Sequence, residues 1–303
     1  MLALDSVTVR VGSATLLDAL SLHVAPGEVV AVVGPNGAGK TTALRVMAGE
    51  TVPASGRALL DGRPLAETPA AALARRRAVL PQESALAFGF TALDVVLLGR
   101  TPHRTTRRDD MAAAGRAMAE AGVDHLADRR YPTLSGGERQ RVHLARALAQ
   151  LDAGSASGSA SGSASGSAVS PGEPGPGDGA GSAPAGRYLL LDEPTSALDL
   201  GHQHAVLKTA RRQAAAGTGV LAVLHDLNLA AQYADRIAVL AAGRLVAVGR
   251  PHAVLTPTVV RCAFGITVIV TAHPCAACPL VVPVPDSADL AFGALPVLAS
   301  PFS

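Results

Sequence analysis

Three short runs are apolar at nearly every position and then break abruptly into polar residues. They are EVVAVVG (28–34), RYLLLDE (187–193) and GVLAVLHD (219–226). A strand with one wet face alternates apolar and polar residues. A run without alternation fits a parallel strand buried on both faces. Helical stretches are expected after GKTT, after SGGE and around DLGHQ. Strand and helix therefore alternate, the pattern of an α/β fold with helices on both faces of its sheet. RIAVLAAGRLVAVG (236–249) instead predicts a hairpin turning at Ala242 and Gly243. Residues 94–150 read as mainly helical and form a candidate inserted subdomain.

Composition alters this picture at one place. Residues 152–186 are mostly Gly, Ser, Ala and Pro, with a single valine and no aromatic side chain. Such a segment cannot offset its ordering entropy by burial, so it is expected to be a disordered insertion. It ends just before RYLLLDE, at the N-terminal end of that strand, whereas ligands in such sheets sit at the C-terminal ends. Deleting 154–184 is therefore expected to leave any chemistry at those C-terminal ends largely intact. A large loss of turnover in a folded deletion variant would contradict this.

Hydrophobic residues make up 49% of the 303 residues, much of it alanine. No apolar run approaches the roughly 20 residues that span a bilayer. The N-terminus carries Asp5 and no basic run, so it does not read as a signal peptide. The chain is expected in the cytoplasm, and any link to a membrane must come through partners. A net charge of +2 gives no argument for nucleic acid, and none is expected as a partner. Three cysteines, Cys262, Cys275 and Cys278, do not make a disulfide framework. Only two lysines occur, Lys40 and Lys208, which makes Lys40 conspicuous.

Lys40 lies in GPNGAGKT (34–41), which matches G-x-x-x-x-G-K-[ST] between a predicted strand and a predicted helix. In such a loop Gly34, Asn36, Gly37, Ala38 and Gly39 supply backbone N–H groups to phosphate oxygens, and Pro35, which has no N–H, shapes the turn that carries them. The helix N-terminus at Lys40, Thr41 and Thr42 adds partial positive charge. Lys40 reaches the β- and γ-phosphates and Thr41 ligates Mg²⁺. The partner strand LLLDEP delivers Asp192, a candidate Mg²⁺ ligand, and Glu193, which can orient or deprotonate the attacking water.

These two motifs specify only a P-loop NTPase. A second glycine pair, in LSGGERQRVHLARALAQ (134–150), decides among the subclasses. Ser135 and Glu138 have capping-box spacing, so Ser135 starts a helix that buries Val142, Ala145 and Leu148. Its mouth at Ser135, Gly136 and Gly137 is a further anion-binding N-terminus. One nucleotide needs one such mouth, and the P-loop already supplies it.

LSGGERQRVHLARAL resembles the signature motif of ABC-transporter ATPases. The resemblance implies a P-loop NTPase ABC cassette: a RecA-like core, an antiparallel β subdomain and an inserted α-helical subdomain at about 85–150. It covers residues 2–260, interrupted by 152–186, and leaves 261–303 as a short C-terminal extension. In this family two cassettes sandwich two ATPs head to tail. Ser135, Gly136 and Gly137 would then bind the ATP held by a second copy of the chain. Further landmarks appear in order. Gln82 in VLPQE resembles the glutamine that senses Mg²⁺ and contacts the membrane partner. Asp199 in SALD resembles the aspartate loop of the dimer seam. His225 in VLHDLN resembles the switch histidine. Glu193, His225 and Gln82 are thus the expected catalytic set. ATP and Mg²⁺ are the expected cofactors, and transmembrane permease subunits the expected partners. One departure stands out. The family commonly stacks adenine on an aromatic residue, and here Val11 occupies that region, so base selectivity is expected to be loose.

FTALDVVLLGRTPH (90–103) resembles importers for iron-siderophores, cobalamin and haem. ARRRAVLPQ (74–82), GRTPH (99–103) and ALDLGHQHAVL (197–207) look most like the hemin-import ATPases. The resemblance therefore implies hemin import, fed through the permease by an extracytoplasmic hemin-binding protein. A ferric siderophore or cobalamin is the alternative cargo, and a soluble ABC ATPase outside transport the remaining reading. His202 and His204 read as a polar helix start. HPCAACP (273–279) reads as free thiols, since a structural zinc site usually needs four ligands. The basic run RTPHRTTRRDD (100–110) reads as a solvated face of the helical subdomain.

Overall fold

The computed structural model describes residues 1–82, 89–152, 186–196 and 198–284. Both the segment 153–185, which makes up nearly all of the Gly/Ser insertion, and the expected subdomain boundary at 85 lie outside the described residues. In chain order the first elements are β1 (Leu2–Val11), β2 (Ala14–Val24), β3 (Val29–Val33), α1 (Lys40–Met47), β4 (Ser55–Leu60), β5 (Arg63–Pro64), α2 (Ala70–Arg76) and β6 (Arg77–Leu80). Three helices follow: α3 (Ala92–Leu97), α4 (Arg107–Ala121) and α5 (Gly136–Leu151). Then come β7 (Tyr188–Asp192), α6 (Leu200–Ala215), β8 (Gly219–Val223), α7 (Leu227–Tyr233), β9 (Arg236–Ala241) and β10 (Arg244–Gly249). The last are α8 (Pro251–Val254), α9 (Pro257–Phe264), β11 (Val268–Ala272) and β12 (Pro279–Pro283).

The three apolar runs become β3, β7 and β8, each buried at every position. They are central strands of a six-stranded sheet ordered β10-β9-β3-β8-β7-β6. All neighbours in it are parallel except β10, which returns antiparallel to β9. That return turns at Ala242 and Gly243, with φ of 47° and 76°. Two successive positive φ values are what a tight hairpin turn requires.

Strand periodicity divides the core. Val29, Ala31 and Val33 face one hydrophobic cluster, packed under α3 to α7. Val30 and Val32 face the other, shared with α1 and a four-stranded antiparallel sheet ordered β2-β1-β4-β5. Leu189 and Leu191 go to the first cluster, Tyr188 and Leu190 to the second. Successive strand residues point to opposite faces, so a run buried on both sides must be apolar throughout. Each fully buried Val or Leu contributes roughly 1.5–3 kcal/mol.

Helices α3, α4 and α5 pack on one another, with Val96, Met118, Val142 and Leu148 among their buried residues. Arg100 staples this group. It is 3% exposed and donates to Asp110 (2.9 Å) and to the Ala149 carbonyl at the end of α5 (2.7 Å). The basic run is therefore not a uniformly solvated face. Its first arginine is buried against helix-end carbonyls, while Arg107 and Arg108 are exposed. The expected boundary at 260/261 falls inside α9. The β11–β12 hairpin beyond it contributes Val268, Cys278 and Val281 to the main core.

A second buried polar group lies in α5. His143 is 3% exposed, and its Nε2 meets the Tyr131 hydroxyl at 2.7 Å. Its Nδ1 has no partner among the described residues. Burial, helped by the nearby Arg146 charge, pulls its pKa down from 6.5 to about 4. The folded chain thus keeps His143 neutral where the unfolded chain takes up a proton. Stability is complete above pH 6.5 and falls as the pH drops towards 4. From pH 7 to pH 5 the loss from this group is about 2 kcal/mol. Urea midpoints at the two pH values should show it, and His143→Gln should flatten the difference. An equally steep loss in that variant would place the titration elsewhere.

Candidate functional site

Four adjacent parallel strands end on the same side of the sheet, and each delivers one part of a site. After β3 comes the loop 34–39, which leads into α1. Gly39 opens that helix in the left-handed region, at φ 95°. Beyond the end of β8 stands His225, beyond β6 Gln82, and at the end of β7 Asp192 and Glu193. The C-terminal edge of a parallel sheet is where its loops and helix N-termini make ligand sites.

Lys40 is buried, and its Nζ donates to the carbonyls of Gly34 (2.8 Å) and Pro35 (2.9 Å). Burial pulls its pKa below the ordinary lysine value, while the charges of Glu193 and Asp192 act in the opposite direction. Thr41 Oγ1 donates to Asp192 Oδ1 at 3.1 Å. Asp192 is 5% exposed. Burial raises its pKa, the Thr41 hydrogen bond opposes that, and the Glu193 charge adds to it.

Glu193 is held from two sides. Oε2 accepts from Gln82 Nε2 at 2.8 Å, and Oε1 lies 2.6 Å from His225 Nε2. Its backbone takes φ 48°, the left-handed region, which costs a non-glycine residue roughly 1–2 kcal/mol. Such strain persists where surrounding structure enforces it, and it clusters at working sites. A cavity of about 210 Å³ is lined by Asn36, Gly37, Lys40, Thr41, Thr42 and Glu193. A neighbouring one of about 340 Å³ is lined by Arg45, Gln82, Arg146 and Asp192. A larger cavity of about 530 Å³, between α4, α5 and α6, shares no lining residue with either.

The signature residues are not part of that cavity lining. Ser135 caps α5: its backbone N–H donates to Glu138 Oε2 (2.7 Å), and its Oγ accepts from the Glu138 N–H (3.3 Å). That backbone N–H bond and the Ser135 hydroxyl hold the Glu138 carboxyl below the usual range. Ser135 and Gly136 are exposed. Asp199 caps α6 through the His202 N–H (2.9 Å) and also meets the His202 ring at 2.8 Å. His204 Nδ1 meets the Tyr233 hydroxyl at 2.7 Å, so both histidines have internal partners.

Two contributors carried no sequence signal. Leu16, in β2, walls the 210 Å³ cavity from the antiparallel sheet, and Arg146, in α5, reaches the Val79 carbonyl of β6 from below. Val11, in the region where the family's adenine-stacking aromatic residue would stand, is 64% exposed.

A family model described as "ABC transporter" matches residues 17–152. Across 292 residues, spanning 96% of each chain, the sequence is 48% identical to the Hemin import ATP-binding protein HmuV of Gloeobacter violaceus. The chain belongs to the ABC transporter ATP-binding family. The protein of the same name from Myxococcus xanthus is 50% identical over 274 residues, covering 90% of this chain and 92% of that one. Among solved structures, a putative metal-chelate type ABC transporter in an inward-facing conformation superposes with a TM-score of 0.71 at 23% identity. It covers 95% of this chain and 98% of its own. That likeness confirms the cassette fold.

The donors around Thr41 suit one cation. A hydroxyl and a buried carboxylate are hard oxygen ligands in direct contact. Among the described residues no three His, Cys, Asp or Glu side chains converge into a protein cage. This fits Mg²⁺, which keeps most of its shell as water and phosphate oxygens and takes one or two protein ligands.

Proposed function

We propose that this chain is the ATP-hydrolysing, energy-coupling subunit of an importer for hemin. The observation that carries the hydrolytic part is the convergence on Glu193. One carboxylate, beside the phosphate loop, is bracketed by Gln82 and His225 at 2.8 and 2.6 Å. The cargo rests on identity of 48% and 50%, across 90% or more of the chain, to two proteins named for hemin import.

In this reading the loop 34–39 and the start of α1 bind the ATP phosphates through backbone N–H groups. Lys40 exchanges its two carbonyl contacts for phosphate oxygens. Thr41 and Asp192, with Gln82, would hold Mg²⁺. When bound, the ion neutralises charge on the phosphates. Glu193 takes the proton of the attacking water, and His225 orients Glu193 and faces the γ-phosphate. Gly34 to Thr42 serve the nucleotide of their own chain. Ser135, Gly136, Gly137 and Asp199 serve the nucleotide of a second copy, since they stand outside the cavity of the first. The cassette pair docks on permease subunits at the cytoplasmic face, through Gln82 and the helical subdomain. An extracytoplasmic hemin-binding protein feeds the permease. Among the described residues no helix is long and apolar enough to cross a membrane; in this reading the permease subunits supply the route for the cargo.

Growth tests the reading. A strain lacking this chain should fail with hemin as sole iron source and grow on a ferric siderophore. The wild-type chain should restore growth and Glu193→Gln should not. Failure on the siderophore alone would move the cargo and keep the mechanism. Rescue by Glu193→Gln would overturn the hydrolytic role.

A further inference from the structure

We infer that Asn228 is a positioning residue for His225, acting through a clamp between the switch helix and the C-terminal hairpin. The inference rests on the proposed role of His225 and adds to it the residue that holds the histidine in place.

Among the described residues the His225 side chain has one polar contact, and it is with Glu193, the group it serves. That side chain is 46% exposed. Its position is therefore set by the turn of helix immediately C-terminal to it. Asp226 caps α7, its Oδ1 accepting the N–H groups of Asn228 (2.7 Å) and Leu229 (3.0 Å). His225 thus stands one residue before the cap and moves with the first turn of α7. That helix has seven residues, too few to hold a position by itself.

The Asn228 side chain ties this turn to β12 by two reciprocal bonds. Nδ2 donates to the Val281 carbonyl (3.1 Å), and Oδ1 accepts the Val281 N–H (2.8 Å). A carboxamide is one of few side chains able to pair both polar groups of a single backbone residue. Val281 thereby satisfies on α7 the groups that an edge strand would otherwise leave open. The hairpin is itself fixed, because Val268, Cys278 and Val281 are buried in the main core. One helical turn beyond Asn228, on the same face, Gln232 Nε2 approaches His273 Nε2 of the hairpin at 3.4 Å. At the far end of α7, Tyr233 is held to His204 on α6. The helix is thus braced at both ends. The brace nearest His225 comes from residues 268–284, which otherwise have no role in the site.

The test is steady-state ATP hydrolysis by the purified full chain with Mg²⁺, using Asn228→Ala, His225→Ala and the double variant. Val281→Pro removes the N–H donor from the hairpin side and serves as a second, independent break of the clamp. A displacement of the order of 1 Å in a reacting group lowers turnover by up to about 100-fold. Asn228→Ala and Val281→Pro should each lower kcat about tenfold or more, with KM for ATP within about twofold of wild type. Because Asn228 acts through His225, the double variant should be no slower than His225→Ala alone. Wild-type kcat in folded Asn228→Ala would overturn the inference. So would losses that multiply in the double variant, or a rise in KM that accounts for the whole effect. Unchanged turnover in His225→Ala would overturn the reading of the site itself, and this inference with it.

Discussion

Glu193→Gln should leave a chain that folds and binds ATP but hydrolyses it about 10²–10⁴-fold more slowly. The substitution keeps the shape of the side chain and removes its capacity to accept a proton. Nothing in the phosphate loop changes, because Lys40 is anchored on Gly34 and Pro35 and Thr41 on Asp192. The contact with His225 at 2.6 Å loses its charge but not its place. Single-turnover phosphate release, beside an equilibrium ATP titration, separates the two effects. A loss below about tenfold would mean that Glu193 is not the base. A matching loss of affinity would mean that it serves binding instead.

The second large effect is expected at Gly34, and it is steric. A Cβ there would lie 2.1 Å from the Leu240 carbonyl oxygen and 3.2 Å from the Ala38 Cβ. Neither neighbour can retreat. Leu240 belongs to β9, paired with β3 through Val33 and Val239, and Ala38 is in the loop itself. Gly34→Ala should destabilise the chain by roughly 2–4 kcal/mol and abolish ATP binding in what remains folded. Gly37 is the useful contrast. It takes φ 77° but has nothing within 4 Å of a Cβ, so Gly37→Ala should cost only about 1–2 kcal/mol. Urea midpoints for both variants test the difference. Equal losses would mean that backbone conformation, not the approach of β9, governs this loop.

Much of the site was legible because its parts are local. β3, β7 and β8 announce themselves by four or five consecutive apolar residues, and Asp192, Glu193 and His225 by their place just after a run, whereas β6 begins on Arg77 and Gln82 was expected only from the family resemblance. The capping box at Ser135 and Glu138 is likewise a relation three residues long. The unread parts are relations across distance. Nothing near Leu16 marks it as a wall of the phosphate loop, since it arrives from another sheet. Arg100 sits in a basic run that composition reads as wet, yet the carbonyls that bury it belong to the end of α5. Asn228 follows a recognisable motif, but its partner Val281 lies in a segment with no motif at all. The antiparallel sheet was expected only from the family resemblance, because β1 and β2 carry bulges that blur their alternation.

The way α5 and β7 are joined sets how freely this chain can vary in length. Arg187 Nη1 donates to the Leu151 carbonyl at 2.9 Å, so the residues entering β7 are pinned to the last turn of α5. Arg76 holds the Gly186 carbonyl beside them at 3.0 Å. Any segment joining these two ends closes a loop whose mouth the fold has already set. Doubling such a loop adds only about 0.6 kcal/mol of closure entropy. Where Asp192 and Glu193 arrive is determined by the pairing of β7 with β6 and β8, whatever the length of the connection. The cassette can therefore gain or lose tens of residues at this junction and keep its carboxylates in register.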